Sequence, residues 1–333
     1  VYANQVGAQT ELIFDGGSVY LNEKGEIQEE LNYFEEDFRI IDTEVSTQNL
    51  QPKTEYIEKI YHALVLGIRD YFTKMGFKKA TLGLSGGIDS ALVLVLAVEA
   101  LGKENVRVLL MPSRYSSDHS IDDALQLARN LDIQYEIIPI QTMVDSFEQS
   151  LSGVFANLKN DITEENIQAR TRGILLMAIS NKFGNILLNT TNKSECAVGY
   201  GTLYGDMNGG LSVLGDVYKT DIFKMANWIN RDSEIIPFNT ILKPPSAELR
   251  PDQKDSDSLP DYEILDQILF DYIELNLSPD EIIAKGFDES TVLRTVKMVN
   301  TYEYKRFQAP PILRISSTAF GCGRRMPLVA RYS

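Results

Sequence analysis

The sequence predicts an α/β protein whose doubly wound, mostly parallel sheet carries helices on both faces, with a short β segment at its N-terminus. Two observations favour this fold. Four short apolar runs alternate with segments of helical periodicity, an order typical of parallel sheets covered on both sides. A glycine-rich polar segment joins the first run to an apolar helix, and ligands of such sheets bind where the strands end.

The N-terminal region is predicted to be β structure followed by a linker. Residues 11–30 are predicted to form hairpin structure, in which strands at 12–14 and 18–21 pair across a turn at 15–17 and a second turn follows at 22–25. Residues 35–53 are acidic and polar, contain Pro52, and are predicted to be a linker. Because apolar side chains recur at helical spacing from residue 56 onward, the compact domain is predicted to begin at residue 54.

The remaining elements follow from the same patterns. Predicted strands cover residues 80–84, 106–111, 135–138 and 186–188, and predicted helices cover 91–98, 120–131 and 164–183. Because the carboxyl ends of parallel strands meet at one edge, segments 85–90, 112–117 and 189–195 should lie together. Residues 251–260 are polar enough to predict a mobile loop.

Composition narrows the class of protein. The chain has 333 residues, 44% hydrophobic and 24% charged, which is ordinary for a well-cored protein. Its 32 basic and 47 acidic residues give a net charge of −15, which disfavours nucleic acid as a partner. Two cysteines predict a reducing compartment, and the longest apolar run, 91–98, is too short to cross a membrane. We therefore expect a cytoplasmic protein, and the start at Val1 predicts a chain that begins inside a longer one.

Ser85-Gly86-Gly87-Ile88-Asp89-Ser90 predicts a phosphate-binding loop. Adjacent glycines let the backbone approach an anion, and the following helix offers unpaired N–H groups. A carboxylate beside phosphates is repulsive unless a cation intervenes, so Asp89 is expected to hold Mg²⁺. The alternative is a glycine-rich turn with an Asp or Ser as the helix N-cap. The Gly-Lys-Ser/Thr loop of the commoner ATP-binding proteins is absent.

Two further segments could complete a site. Thr190 could donate to a nucleotide, and Glu195 could join Asp89 on Mg²⁺ or bind a second substrate; the alternative is a polar connection with Glu195 in a helical first turn. Lys219, on a helix that we expect Asp216 to cap, could reach the phosphates. The alternative for Lys219 is a solvated helix face.

Other candidates are cationic or aromatic. Arg170 and Arg172 share a predicted helix, where one of them could bind a phosphate or carboxylate. For Arg172 we favour surface pairing with an acidic neighbour, Glu164 or Glu165. The segment around Tyr304 and Lys305 suits a nucleotide edge and equally a helix end, and the glycine-rich segment 199–210 is long enough to predict a functional loop.

Several motifs together resemble the synthetase domain of the NAD synthetases, an ATP pyrophosphatase domain of the adenine nucleotide alpha-hydrolase-like fold. They are the phosphate loop, Met-Pro-Ser at 111–113, Asn-Lys-Ser-Glu at 192–195, Tyr-Gly-Asp at 204–206, Pro-Pro-Ser-Ala-Glu-Leu-Arg-Pro at 244–251 and Tyr-Lys-Arg at 304–306. The resemblance implies a C–N ligase. In this family ATP adenylates deamido-NAD, pyrophosphate leaves, and ammonia converts the acyl-adenylate to NAD and AMP.

The resemblance also implies roles for individual residues. Asp89 and Lys219 would be catalytic, and Asp89 and Glu195 would bind Mg²⁺. ATP would contact Gly83, Leu84, Ser85, Gly86, Gly87, Ile88, Asp89, Ser90, Thr190, Lys219 and Ser246. Deamido-NAD would contact Arg170, Glu195, Tyr304 and Lys305. Leu203, Ser212 and Ser246 depart from residues found in the ammonia-only branch, so those substrate contacts are expected to differ.

Residues 2–21 resemble the end of the nitrilase-like amidase domain that precedes the synthetase domain in glutamine-dependent NAD synthetases. We therefore expect an amidase remnant at 1–34, the linker at 35–53 and the synthetase domain at 54–333. The resemblance implies that the intact protein takes nitrogen from glutamine, that this chain uses only ammonia, and that it forms a homodimer or a higher homo-oligomer. The rivals are an RNA-modifying enzyme of the same loop family, disfavoured by the acidic composition, and a non-catalytic nucleotide-binding module.

Overall fold

Five parallel strands form the central sheet of the computed structural model, which describes residues 1–9, 11–43, 54–251 and 253–329. The strands are β5 Ala80–Gly83, β6 Val106–Leu110, β7 Gln134–Ile137, β8 Ile186–Asn189 and β9 Leu211–Ser212. Their order across the sheet is β7-β6-β5-β8-β9. The predicted parallel α/β fold is confirmed. The two-residue strand β9 was not predicted, because it follows the glycine-rich segment without an apolar run of its own.

Helices cover both faces of this sheet. Their bounds are α1 Tyr56–Met75, α2 Ile88–Leu101, α3 Asp118–Asn130, α4 Gln141–Leu151, α5 Ile162–Phe183, α6 Lys193–Val198, α7 Lys219–Ile229, α8 Phe238–Leu242, α9 Tyr262–Ile273, α10 Pro279–Ala284, α11 Glu289–Thr301 and α12 Glu303–Arg306. Side chains of a strand alternate between faces. Val108 therefore packs in the core that contains α1, α2 and α7, whereas Leu109 packs in the core that contains α4 and α5.

The N-terminal strands pair differently from the sequence-based expectation. Strands β1 Val6–Gln9 and β2 Leu12–Asp15 form one antiparallel hairpin, and β3 Val19–Leu21 and β4 Ile27–Glu30 form another. The predicted pairing of 12–14 with 18–21 is wrong, because each run finds its partner on its other side in the chain. Of the predicted linker 35–53, residues 44–53 lie outside the described residues.

The first hairpin is attached to α1 by hydrogen bonds between its backbone and two α1 side chains. The backbone N–H of Ala8 donates to Oδ2 of Asp70, and Nζ of Lys74 donates to the Ala8 carbonyl, both at 2.7 Å. Asp70 and Lys74 lie one turn apart on α1 and form an ion pair of 2.8 Å. The N-terminal hairpin thus packs directly on the first helix of the α/β unit.

Candidate functional site

The phosphate loop connects β5 to α2 at the carboxyl edge of the sheet. Gly87 is the N-cap of α2, and no side chain caps the helix. The alternative of an Asp or Ser N-cap is therefore wrong, and the first N–H groups of α2 are left for another partner. Ser85 and Ser90 hold the loop closed: their hydroxyl oxygens are 3.1 Å apart, and the Ser85 N–H donates to Ser90 Oγ at 3.2 Å.

Gly86 has a conformation and surroundings that require glycine. Its φ is +82°, in the left-handed region that side-chain-bearing residues rarely adopt. A Cβ at this position would lie 2.1 Å from the backbone carbonyl oxygen of Ser120, at the start of α3. The loop can therefore approach α3 closely only without a side chain at residue 86.

Lys219 and Asp89 form the centre of the site. Nζ of Lys219 lies 2.5 Å from Oδ2 of Asp89 and 3.5 Å from Oε1 of Glu195. Asn192 donates from Nδ2 to the other Asp89 oxygen at 2.9 Å. Lys219 is only 2% exposed, so the alternative of a solvated helix face is wrong. One cation and two carboxylates from three different helices thus meet beside the phosphate loop.

Burial and the neighbouring charges shift the pKa values of Glu195 and Lys219. Burial, together with the negative charge of Asp89, raises the pKa of Glu195 to about 8, although Lys219 opposes the shift. Burial by itself would lower the pKa of Lys219, but the attraction of Asp89 and Glu195 is stronger, so this pKa is raised. The Lys219 ammonium therefore stays charged at neutral pH and compensates the negative charge of the site.

Most of the predicted ATP contacts line a single cavity. They are Gly83, Leu84, Ser85, Gly87, Ile88, Asp89, Ser90, Thr190, Lys219 and Ser246. Glu195, predicted to bind Mg²⁺ and deamido-NAD, lines the same cavity. Segments that follow β5, β6 and β8 all contribute to the wall, as expected for the carboxyl edge of a parallel sheet. Gly86, the remaining predicted ATP contact, is not part of this cavity wall and packs against Ser120 of α3.

The predicted surface role of Arg172 is wrong. Arg172 lines the cavity, and its Nε donates to the Met111 carbonyl at 3.0 Å, just beyond β6. Burial lowers the pKa of Arg172 to about 10, while the charges of Glu248 and Asp206 oppose this shift. Because Nε is the atom that contacts Met111, the two terminal nitrogens of the guanidinium can donate to an anion in the cavity.

The residues predicted to contact deamido-NAD, apart from Glu195, lie outside the cavity wall. Arg170 is exposed and donates from Nε to the Leu203 carbonyl at 3.2 Å. Nζ of Lys305 donates to the carbonyls of Gly199 and Gly201, both at 2.8 Å. Tyr304 is 46% exposed. Arg170 and Lys305 contact the glycine-rich segment 199–210 in this structure, and their substrate roles stay predictions.

Residues 243–249 and Asp255 form one side of the cavity. The Glu248 carboxylate accepts hydrogen bonds from Oγ of Ser117 at 2.9 Å and Oγ of Ser120 at 2.7 Å, which joins residues 243–249 to α3. Ser246 donates from Oγ to the Gln253 carbonyl at 2.5 Å. The hydroxyl of Ser246 therefore shapes this segment as well as lining the cavity.

The same side of the cavity has a carboxylate that sequence reasoning missed. Asp255 accepts hydrogen bonds from Tyr200 at 3.1 Å and Tyr262 at 2.9 Å, and it is 5% exposed. Burial raises its pKa, although the charge of Lys219 opposes the shift. Residues 251–260 were expected to be a mobile loop; residues 253–260 contain a 3₁₀ turn, Asp255–Asp257, and Asp252 lies outside the described residues.

Asp216 does not cap α7. The N-cap of this helix is Tyr218, and Asp216 is instead buried with the ammonium of Lys193 at 2.8 Å. Lys193 also lies 2.5 Å from Glu274, at the end of α9. Asp216, the expected helix cap, therefore belongs to a buried charge network with Lys193 and Glu274.

The donor set fits a divalent cation bound together with a nucleotide. Mg²⁺ usually takes one or two protein carboxylates, with phosphate and water oxygens completing its shell. Asp89 and Glu195 offer carboxylate oxygens at the same cavity wall. Among the described residues no group of three or more acidic, His or Cys side chains could hold a metal. The two carboxylates therefore suit a cation that arrives with phosphates.

The chain is similar to known proteins along its whole length. The family model described as NAD synthase matches residues 60–309. The chain is 50% identical to a glutamine-dependent NAD(+) synthetase of Synechocystis and 48% identical to one of Thermotoga maritima, covering 100% and 99% of this chain. It spans 61% and 64% of the length of these relatives.

Solved structures of NAD synthetases are also similar to this chain. The glutamine-dependent NAD+ synthetase of Acinetobacter baumannii, in complex with ADP, superposes with a TM-score of 0.70 at 45% identity, covering 99% of this chain and 61% of that chain. The NH3-dependent NAD synthetase of Campylobacter jejuni has a TM-score of 0.61 at 30% identity, covering 78% of this chain and 100% of that chain.

Across the described part of the chain, none of the helices has the length and apolarity needed to cross a membrane.

Proposed function

Because this chain belongs to the NAD synthase family, we propose that it makes NAD from deamido-NAD by ATP-dependent amidation, releasing AMP and pyrophosphate. The observation that carries the proposal is the buried Lys219 ammonium, held between Asp89 and Glu195. It lies beside the phosphate loop, whose following helix α2 has no side-chain cap. A non-catalytic nucleotide-binding module would not need this arrangement of charges. The arrangement of Lys219, Asp89 and Glu195 suits a reaction in which negative charge develops on phosphate oxygens in the transition state.

The first step is adenylation. A carboxylate oxygen of deamido-NAD attacks the α-phosphorus of ATP, the bond to the bridging oxygen breaks, and pyrophosphate leaves. The N–H groups that begin α2 bind phosphate oxygens, with the hydroxyls of Ser85 and Ser90 beside them. Lys219 supplies positive charge where negative charge grows on the leaving pyrophosphate.

Arg172 and Mg²⁺ complete the nucleotide site in this proposal. Arg172 offers its two terminal nitrogens to phosphate oxygens, because its Nε is already fixed on Met111. Asp89 and Glu195 would hold Mg²⁺, which neutralises phosphate charge when bound. Thr190 and Ser246 line the same cavity and supply hydroxyl donors.

The second step is amidation. Ammonia attacks the acyl carbon of the adenylate, the bond to the AMP oxygen breaks, and the nitrogen loses a proton to leave the amide. Water would destroy the acyl-adenylate by hydrolysis. Residues 243–249, attached to α3 through Glu248, and buried Asp255 cover this side of the cavity and limit the entry of water.

The nitrogen source depends on the longer protein. The match of the whole chain to glutamine-dependent relatives, of which it spans under two thirds, supports glutamine hydrolysis in an upstream amidase domain. We assign residues 1–34 to the end of that domain, 35–53 to a linker and 54–333 to the synthetase domain. This chain alone should then use free ammonia. The free thiols of Cys196 and Cys322 support a reducing compartment, so we place the reaction in the cytoplasm.

We also propose a homodimer through the synthetase domain. Exposed apolar side chains lie along α5 and the preceding loop: Val154, Leu158, Ile162 and Ile174 are 58–76% exposed. Such a surface suits a second copy of the chain. Light scattering should give about twice the chain mass of 37.5 kDa, and Ile174→Asp should give the monomer. A monomeric wild-type chain at micromolar concentration would contradict the dimer.

The test of function offers ATP, Mg²⁺ and deamido-NAD with either ammonium or glutamine. We expect NAD, AMP and pyrophosphate in equal amounts with ammonium, and no NAD with glutamine alone. Absence of NAD and AMP with ammonium would refute the proposed reaction for this chain. Turnover with glutamine alone would instead refute the assignment of glutamine hydrolysis to an upstream domain.

A further inference from the structure

The helix that presents Lys219 begins without a side-chain cap of its own. Its N-cap, Tyr218, makes no capping hydrogen bond through its side chain. The first N–H groups of a helix have no partner within the helix. Here the Lys219 N–H donates to Oγ of Ser194 at 3.0 Å, and the Thr220 N–H donates to Oδ2 of Asp266 at 2.9 Å. The start of α7 is therefore fixed by side chains from α6 and α9.

Ser194 and Asp266 are themselves joined. The Ser194 hydroxyl donates to Oδ1 of Asp266 at 2.5 Å, while its oxygen accepts from the Lys219 N–H. Ser194 is 0% exposed and Asp266 is 5% exposed. A negative charge at a helix N-terminus is favourable because of the helix dipole. The three hydrogen bonds form one buried connection from α9 through α6 to α7.

We propose that Ser194 and Asp266 are positioning residues that set where the Lys219 ammonium lies. Neither side chain lines the cavity. Each acts through the first residues of α7, whose Lys219 reaches Asp89 at 2.5 Å. The proposal rests on the function proposed above, in which Lys219 acts on the phosphates.

A small displacement of this ammonium should affect the chemical step more than binding. Lys219 faces charge that develops as pyrophosphate leaves, so its position contributes mainly to the transition state. Misplacement of a reacting group by about 1 Å can lower a rate by about a hundredfold. The loop, Thr190 and Arg172 would still bind the nucleotide, so the KM for ATP should change little.

The experiment compares two variants with two matched controls. Asp266→Asn and Ser194→Ala weaken the connection. Asp271→Asn is the first control, because Asp271 lies on the same helix, is also 5% exposed, and pairs with Lys285 at 2.6 Å away from the cavity. Ser180→Ala is the second, because Ser180 donates to the Asn185 carbonyl at 2.7 Å, at the far end of α5.

We expect kcat to fall by tenfold to a hundredfold in Asp266→Asn and Ser194→Ala, with the KM for ATP within about twofold of wild type. The two controls should keep wild-type kcat even where they lower the melting temperature. If all four variants lose stability alike and keep wild-type kcat, the roles of Ser194 and Asp266 are only structural and the proposal is overturned.

A second measurement does not need turnover. In the wild type, acetic anhydride should label Lys219 slowly, because its ammonium is buried against two carboxylates. Mass spectrometry should detect faster labelling of Lys219 in Asp266→Asn and Ser194→Ala, but not in the controls. If the wild type makes no NAD, the proposed function fails, and this labelling still decides the positioning role. Unchanged labelling in both variants, with circular dichroism like that of wild type, would overturn it.

Discussion

Nζ of Lys219 lies 2.5 Å from Oδ2 of Asp89, although 130 positions of the chain separate the two residues. Asp89 comes from the first turn of α2 and Lys219 from the first turn of α7. Asn192, the N-cap of α6, holds the second Asp89 oxygen. Three helix N-termini therefore meet at one carboxylate, so a change at this residue should affect the chemistry of the site directly.

Asp89→Asn should lower the rate of pyrophosphate release by at least about a hundredfold, because it removes a charge that would hold Mg²⁺ and orient Lys219. The measurement is pyrophosphate release with ATP, Mg²⁺ and deamido-NAD. Asp221→Asn is the control, since Asp221 lies on α7 and pairs with Lys224 at 2.7 Å outside the cavity. Wild-type release by Asp89→Asn would remove its proposed role.

Gly86→Ala should weaken ATP binding by more than tenfold and destabilise the protein, because the new Cβ would meet the Ser120 carbonyl oxygen at 2.1 Å. Calorimetric titration with ATP and a denaturant curve measure the two effects. Gly76→Ala is the control that has backbone strain without a steric clash. The φ of Gly76 is +76°, but no atom lies within 4 Å of the added Cβ. That control should lose only about 1–2 kcal/mol of unfolding free energy and bind ATP normally. Equal effects of the two substitutions would contradict the steric explanation.

Arg172→Met should weaken ATP binding about tenfold to a hundredfold, since hydrogen bonds to charged groups contribute about 1.5–3 kcal/mol. Arg170→Met should leave ATP binding unchanged, because Arg170 is exposed outside the cavity. If Arg170 contacts deamido-NAD as the family resemblance implies, its substitution should raise the KM for that substrate alone. Normal ATP affinity in Arg172→Met would show that this guanidinium does not bind the nucleotide.

Lys193→Met should lower the free energy of unfolding by about 3–5 kcal/mol, because it leaves Asp216 and Glu274 buried without their cation. Lys193 is 0% exposed. A chemical denaturation curve gives the value. Lys103→Met is the control: Lys103 pairs with Asp132 at 2.5 Å, but both side chains are exposed, so no measurable change is expected. A stability loss in Lys193→Met no larger than in the control would mean that the buried network contributes little.

The sequence was informative where the signal is local. The alternation of apolar runs and helical periodicity predicted four of the five sheet strands. Burial on both faces accounts for the apolar runs of β5, β6 and β8, whereas β7 is an edge strand with exposed side chains. The phosphate loop was predicted because its glycines, hydroxyls and helix start are contiguous. Strand β9 was missed because two residues carry no periodicity.

The sequence could not decide which side chains face one another across the fold. Arg170 and Arg172 are two positions apart on α5, so they point about 200° apart around the helix, and only the packing of α5 on the sheet determines that Arg172 lines the cavity. Asp216 looked like a helix cap, but Lys193 lies close to it in the folded chain. The sequence by itself determined the fold class and the loop, whose physics is local. Tertiary structure decided the partners of Lys219, Arg172 and Asp255, because these contacts join residues distant in sequence through the packing of separate helices and segments.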